Sequence, residues 1–209
     1  MERSVIWDLD GTLFDSYDVI VESIYLTFLE NNIASSMEEI RRYALQFSIK
    51  SLFQQMSQLY DVSAEALHRR YGEISRGEYL KIKSMPNALE ILEQLYQQGI
   101  KQYVFTHRGR TTIPVLENLG MRDYFVEILT SQSGFARKPN PEALEYLINK
   151  YNMDPSHTFY VGDRSLDMEC AANGGIQGIL FAPENCIVSS CDTANFVVKN
   201  LLDILNIVF

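Results

Sequence analysis

Two aspartates near the start of the chain have the types and spacing to do chemistry. Asp8 and Asp10 follow the apolar run Val5-Ile6-Trp7, and Gly11 comes directly after them. Because side chains alternate between the faces of a strand, carboxylates two residues apart point to the same side. Like charges this close repel each other unless a cation lies beside them. Mg²⁺ prefers a few carboxylates together with water and phosphate oxygens, so the pair indicates a metal-assisted site for a phosphorylated ligand.

Further polar residues stand where other predicted strands end or where a helix is about to begin. Each of them alone has an ordinary structural explanation, such as a turn, a helix cap or a solvated side chain. Together they are better explained by one site, because parallel strands bring their carboxyl ends to the same edge of a sheet. These residues are Thr106, Lys138, Asp163 and Asp167.

The elements that must position these residues form two patterns. The first predicted strand covers residues 4–9. From residue 84 onward, predicted strands over 102–106, 126–130, 158–161, 178–181 and 195–198 alternate with helices, of which one is expected to open at Pro86 and another to be capped by Asn140. This alternation predicts an α/β fold with a doubly wound, mostly parallel sheet. Residues 17–82 have only helical periodicity, which predicts an inserted all-helical domain. We therefore expect a core domain over 1–15 and 84–209 and a helical domain over 16–83.

The composition excludes several classes of function. The chain has 209 residues, enough for one large core or a core with an insert, and a net charge of −9. An acidic balance argues against nucleic acid and anionic membranes as partners. No apolar run reaches the length of a membrane span, and the N-terminus has no secretory pattern. Three cysteines without metal-binding spacing fit a reducing compartment, so a cytoplasmic location is expected.

Four motifs, taken in order, resemble those of the haloacid-dehalogenase-like superfamily of phosphohydrolases. They are Asp8-Leu9-Asp10-Gly11-Thr12-Leu13, Val104-Phe105-Thr106, Lys138-Pro139, and Gly162-Asp163 through Asp167. The resemblance covers nearly the whole chain. The insert lies between the first and second motifs, where the subclass with a helical cap carries it, a subclass that includes phosphoglycolate phosphatases and beta-phosphoglucomutases. The resemblance implies a Rossmann-like core and a cap that closes over it.

The resemblance also implies a mechanism. Asp8 would attack phosphorus and form an aspartyl-phosphate, while Asp10 would protonate the leaving oxygen and then activate water. Mg²⁺ would be held by Asp8, by the backbone carbonyl of Asp10 and by Asp163. Asp167 would hold a metal-bound water or orient Lys138. The implied activity is a Mg²⁺-dependent phosphatase that hydrolyses a small phosphorylated metabolite, as a monomer or homodimer.

Substrate binding is expected to involve four residues. Thr106 and Lys138 would bind phosphoryl oxygens, and the backbone N–H of His107 would complete the phosphate cradle. Because His107 and Arg108 are the two residues after Thr106, their side chains are expected to reach the rim. Lys50, in the helical domain, is a candidate for a second anionic group on the substrate, as is Arg41 or Arg42; the alternative for each is a solvated helix face.

Two other functions stay open at this stage. A beta-phosphoglucomutase-like enzyme would use the same core but pass the phosphoryl group to a sugar instead of water. A non-catalytic protein that binds or senses a phosphorylated metabolite could keep the fold as well, although such a protein would be expected to lose a motif residue, and every motif position is filled here. Asp10 argues against carbon–halogen cleavage, because family members with that activity usually lack this acid.

Overall fold

The structure is a computed structural model that describes residues 2–184, 186, 188 and 190–209. It divides into two compact units, Met1–Asp15 with Lys83–Phe209, and Ser16–Ile82. The predicted boundaries, after residues 15 and 83, lie within one residue of this division. No helix among the described residues combines the length and the apolar character that crossing a bilayer requires.

The first unit, here called the core unit, is an α/β fold with a parallel sheet, as predicted. Its main sheet, as far as the structure describes the chain, contains six strands: β1 (Ser4–Trp7), β4 (Lys101–Phe105), β5 (Phe125–Leu129), β6 (Thr158–Gly162), β7 (Gln177–Phe181) and β8 (Phe196–Val198). They lie in the order β5-β4-β1-β6-β7-β8, and every neighbouring pair is parallel. The helices between and after them are α5 (Ala88–Gln97), α6 (Thr112–Asn118), α7 (Glu142–Tyr151), α8 (Ser165–Asn173) and α9 (Leu205–Val208).

The centre of the sheet is buried on both faces. Strand β1 has β4 on one side and β6 on the other, and its residues Val5, Ile6 and Trp7 are fully buried. Trp7 still satisfies its one donor, because its Nε1–H donates to Oε1 of Gln102 at 3.1 Å. A strand buried on both faces reads as an apolar run instead of an alternating one, and this accounts for the pattern that precedes Asp8.

Several element boundaries differ from the predicted ones for local reasons. Strand β1 ends at Trp7, two residues earlier than expected, because Gly11 (φ 83°) and the turn around it draw the chain out of the sheet. Helix α5 begins at Ala88 instead of at Pro86, because Asn87 occupies the left-handed region with φ 63°. Asn140 does not cap α7 as its N-cap residue; Pro141 holds that position, and the Asn140 side chain accepts the N–H of Glu142 at 3.0 Å.

A short antiparallel ribbon, which the sequence pattern did not indicate, marks the two points where the chain leaves and re-enters the core unit. Strand β2 (Phe14–Asp15) pairs with β3 (Lys83–Ser84). Two residues on each side are too few to show a period of two, so no alternation was available to predict them. The ribbon ties together backbone positions nearly seventy residues apart in sequence.

The second unit, here called the helical unit, contains α1 (Tyr17–Glu30), α2 (Met37–Gln46), α3 (Ile49–Leu59) and α4 (Ala64–Glu78). Serines open three of these helices: the side chains of Ser36, Ser48 and Ser63 each accept a backbone N–H from the first turn. The apolar faces meet in a core of their own that includes Ile24, Phe28, Ile40, Phe53 and Leu67. Both units therefore have an independent hydrophobic core.

Candidate active site

A buried lysine joins two aspartates at the edge of the sheet of the core unit. Nζ of Lys138 donates to Oδ1 of Asp8 at 2.8 Å and to Oδ1 of Asp167 at 2.7 Å. All three side chains are almost completely buried. Asp8 follows β1 and its N–H donates to the carbonyl of Val161 at 2.8 Å, so the sheet itself holds the backbone of Asp8 in place. Lys138, 130 residues further along the chain, thus places its positive charge beside Asp8.

Burial and charge oppose each other in this group. Burial raises the pKa of Asp8 from 3.8 to about 6, although the neighbouring Lys138 pulls that pKa down. Burial also works against the charge of Lys138, but Asp167 and Asp8 outweigh it, so the pKa of Lys138 lies above its usual value. Lys138 is therefore protonated at neutral pH. The protonated lysine is the fixed positive charge of the site.

Aromatic rings complete the surroundings of Lys138. Its Nζ lies 5.2 Å from the ring centroids of both Phe105 and Tyr160, a cation–π arrangement. The hydroxyl of Tyr160 donates to the carbonyl of Phe105 at 2.9 Å, which satisfies the phenol inside the core. Burial raises the pKa of Tyr160 well above its ordinary value, so this hydroxyl stays protonated. The lysine is thereby held in place by contacts with rings from β4 and β6.

A cluster of three carboxylates could hold a metal ion. Asp8, Asp163 and Asp167 each offer an oxygen within 4.8 Å of the other two. Oδ2 of Asp8 is buried and has no hydrogen-bond partner among the described residues. A buried anionic oxygen without a donor is costly, and a divalent cation would remove that cost. The residues present therefore fit a Mg²⁺ ion, and Oδ2 of Asp8 is the atom that most needs such a cation.

Asp10 takes a different partner from Asp8. Its carboxylate accepts from Nε of Arg108 at 3.0 Å (Oδ1) and 3.1 Å (Oδ2), and Nη2 of Arg108 also donates to Oδ1. The backbone N–H of Arg108 donates to Oγ1 of Thr106 at 3.2 Å. Thr106 directly follows β4 and is 1% exposed. The structure therefore brings Thr106, Asp10 and Asp8 to the strand ends of one sheet edge.

His107 faces the loop that carries Lys138. Its Nε2 accepts the backbone N–H of Lys138 at 3.0 Å, and its ring meets Phe105 edge-on. Burial, together with the positive charges of Lys138, Arg137 and Arg164, lowers the pKa of His107 from 6.5 to about 2. The ring is therefore neutral, which its acceptor role at Nε2 requires. The His107 side chain therefore supports the backbone of the loop that carries Lys138, a contact that the sequence did not indicate.

Gly162 closes the back of the site at the end of β6. A Cβ added there would lie 2.4 Å from Cβ of Asp167. Oδ2 of Asp167 also accepts the backbone N–H of Arg164 at 3.2 Å, in the first turn of α8. Only glycine leaves room for the aspartate at this point. The Gly162-Asp163 pair of the sequence thus has a steric reason behind its first residue.

Lys50, predicted to bind an anionic group of the substrate, belongs to α3 of the helical unit and is solvent-exposed, so its role in substrate binding stays a prediction. The sequence places Arg108 close after Thr106 without indicating what it contacts, and it does not indicate Tyr160 or Arg164. A positive charge next to a strand end is a signal for Arg108, whereas Tyr160 and Arg164 have no signal apart from the motif residues beside them.

The parallel sheet and a site at the carboxyl ends of its strands define an α/β enzyme of the doubly wound class. A family model described as haloacid dehalogenase-like hydrolase matches residues 5–181. The chain belongs to the haloacid dehalogenase-like hydrolase family, and the predicted family is confirmed.

Relatives match four fifths or more of the chain. It is 26% identical over 210 residues to the pyrophosphatase PpaX of Oceanobacillus iheyensis, covering 99% of this chain and 96% of that protein. It is 33% identical over 181 residues to the phosphoglycolate phosphatase of Pasteurella multocida, covering 81% and 80%. In fold it is similar to a haloacid dehalogenase-like family hydrolase from Streptococcus pneumoniae, with TM-score 0.84, 19% identity and coverage of 99% and 98%.

Proposed function

We propose that this protein is a Mg²⁺-dependent phosphatase that hydrolyses small phosphorylated metabolites through an aspartyl-phosphate on Asp8. The observation that carries the proposal is the state of the Asp8 carboxylate. One oxygen is held by Lys138 and the other has no hydrogen-bond partner among the described residues. A nucleophile with one oxygen fixed and the other available for a bond or a cation is suited to attack at phosphorus.

The metal ion would be held by Asp8, by the backbone carbonyl of Asp10 and by Asp163. When bound, it would offset the negative charge that otherwise separates a carboxylate from a phosphate. Asp167 accepts the hydrogen bond of Lys138, so we assign Asp167 to orienting that lysine. Lys138 and Thr106 would bind oxygens of the phosphoryl group, where a fixed cation and donor are most effective as charge redistributes.

The proposed reaction has two steps. In the first, an oxygen of Asp8 forms a bond to phosphorus, the bond from phosphorus to the leaving oxygen breaks, and Asp10 gives that oxygen a proton. Asp10 would hold this proton when substrate is bound, because the negative charges of the phosphate favour the neutral carboxyl group against the pull of Arg108. In the second, Asp10 takes a proton from water as the water oxygen bonds to phosphorus, and the aspartyl-phosphate bond breaks to release inorganic phosphate and restore Asp8.

The substrate class is suggested by the relatives. Their names include phosphoglycolate phosphatase and pyrophosphatase, so phosphoglycolate and inorganic pyrophosphate are the first compounds to test. The net charge of −9 favours small molecules over nucleic acid as substrates. For Lys50 we propose binding of a second anionic group on the substrate.

The test measures phosphate release from p-nitrophenyl phosphate, phosphoglycolate and pyrophosphate, with Mg²⁺ and with a chelator. Turnover that requires Mg²⁺ and disappears in Asp8→Asn is expected. Asp123→Asn is the matched control, because Asp123 is an exposed aspartate of the short helix Arg122–Tyr124. Full activity in Asp8→Asn would refute the assignment of the nucleophile.

The same assay separates the alternatives. With β-glucose 1-phosphate and a bisphosphate primer, free phosphate is expected, whereas isomerised sugar phosphate would indicate a mutase. No turnover across the panel, together with intact Mg²⁺ binding, would favour a non-catalytic binding protein.

A further inference from the structure

Arg108 contacts Asp10 directly, but the two proposed steps give this arginine no role. Its guanidinium holds the carboxylate of Asp10 through Nε and Nη2, while Nη1 donates to Oγ1 of Thr111 at 3.0 Å. The guanidinium carbon lies 5.8 Å from the ring centroid of Phe14. The side chain of Arg108 is only 6% exposed. A long cation fixed at three points is a rigid support for the acid that it contacts.

The backbone of Arg108 reaches a second site residue. Its N–H donates to Oγ1 of Thr106 at 3.2 Å. One residue thus connects Asp10, proposed to carry the proton, with Thr106, proposed to bind the phosphoryl group. The planar guanidinium sets the plane as well as the position of a carboxylate, which a lysine ammonium cannot do.

We propose that Arg108 is a positioning residue that fixes the carboxyl group of Asp10 at the place where the leaving oxygen must receive its proton. The inference rests on the proposed function. Arg108 acts through Asp10 and does not itself touch the substrate. Without the guanidinium, the Asp10 side chain regains rotamer freedom, and proton delivery falls while the attack by Asp8 is left intact.

This role has a chemical signature that a purely structural role lacks. The need for a proton depends on the leaving group: p-nitrophenolate is a stable anion and departs without one, whereas phenolate is more basic and gains more from an acid. The two aryl phosphates are otherwise close in shape. The value of kcat/KM reports the steps up to departure of the leaving group, so the ratio of the two kcat/KM values measures proton delivery.

The experiment compares kcat/KM for p-nitrophenyl phosphate and phenyl phosphate in the wild type, Arg108→Met, Arg108→Lys and Asp10→Asn. Because both substrates are measured on one preparation, the ratio does not depend on how much of a variant is folded. We expect Arg108→Met to lose about tenfold more kcat/KM on phenyl phosphate than on p-nitrophenyl phosphate. This is less than the roughly 10²–10⁴-fold that a general acid contributes, because Asp10 itself is still present. Arg108→Lys should lie between it and the wild type.

Arg110→Met is the matched control, since Arg110 is exposed and lies two residues further along the same loop; its ratio should equal that of the wild type. Equal loss on both substrates in Arg108→Met would overturn the inference and leave the proposed function standing. A ratio unchanged in Asp10→Asn would overturn it too, because Asp10 would then deliver no proton. No turnover of either substrate by the wild type would refute the proposed function itself.

Discussion

Two ion-pair trios, one in each unit, join the same kinds of charge in opposite environments. In the core trio, Lys138 lies between Asp8 and Asp167, and the three side chains are 0–3% exposed. In the surface trio, Arg70 of α4 lies between Glu30 and Glu73, and the three side chains are 43–46% exposed. Each cation contacts two carboxylates at hydrogen-bond distance. The environment, and not the number of carboxylates, distinguishes the two trios.

Exposure to water separates charge that has a structural role from charge that has a functional one. Water around the surface trio already stabilises each ion, so pairing adds little. Inside the core, desolvation opposes every charge, and such groups persist where their arrangement does chemistry. The raised pKa of Asp8, at about 6, reflects that opposition. The core trio is accordingly the part of the molecule with an expected catalytic role.

The largest effect is expected from removing the cation of the core trio. Lys138→Met leaves two buried carboxylates without their partner, and breaking such a pair costs about 3–5 kcal/mol. Activity should fall by about 10²-fold or more, because the phosphoryl group loses a fixed positive charge. Chemical denaturation and phosphate release measure the two effects. A variant as stable and active as the wild type would show that burial does not distinguish the two trios.

Replacing a glycine by alanine should have opposite effects on stability beside the core trio and in the helical unit. Gly162→Ala would bring a Cβ within 2.4 Å of Asp167, so we expect a loss of about 1–3 kcal/mol and lower activity. Gly77→Ala is the matched control: nothing lies within 4 Å of its added Cβ, and alanine in a helix should stabilise by up to about 1 kcal/mol. Thermal unfolding of both variants checks the opposite signs.

A smaller effect is expected from the support behind Lys138. His107→Phe removes the acceptor for the Lys138 N–H at a cost of about 1 kcal/mol, and His107→Asn should restore part of it. The folded pKa of His107, about 2, lies below its ordinary value of 6.5, so unfolding takes up a proton between these values. The stabilisation is full above pH 6.5 and is lost as the pH falls through this range.

The stability difference between wild type and His107→Phe should therefore shrink on acidification. In the folded wild type, the His107 ring resonances should stay constant between about pH 5 and 8 by NMR. A titration of these resonances near neutral pH would contradict the neutral acceptor role.

The smallest effect is expected in the surface trio. Arg70→Met removes both contacts to glutamates, yet activity should not change and the melting temperature should move less than in any variant above. The remaining shift should diminish at high salt, because exposed charges are screened. Melting curves at low and high ionic strength test this. A shift as large as that of Lys138→Met would remove the distinction between the trios.

The residues predicted from the sequence were those whose place follows from chain topology. Asp8, Thr106 and Asp163 each follow a strand, and parallel strands must bring such residues to one edge. The same logic located the helical insert, since helical periodicity is evident over whole elements. Topology determines where a residue lies in the fold, but it does not determine which atoms its side chain contacts.

Partners were harder to predict for the same reason. That Arg108 holds Asp10, and that His107 accepts a backbone N–H, depends on the path of the loop after β4. Such loop geometry has no period to detect in a sequence. The β2–β3 ribbon escaped because two residues per strand carry no pattern. Lys50 is a further case, because an exposed lysine on a helix has the same sequence pattern whether or not it binds a ligand.

The proposed mechanism requires that Asp8 of the core trio becomes covalently phosphorylated. Borohydride reduces an acyl phosphate to an alcohol and releases phosphate, which converts a phosphorylated aspartate to homoserine. Enzyme turning over p-nitrophenyl phosphate with Mg²⁺ is quenched into borohydride, digested and examined by peptide mass spectrometry. We predict homoserine at position 8, dependent on both substrate and Mg²⁺. Unmodified Asp8 during confirmed turnover, or homoserine at position 10 instead, would contradict the account.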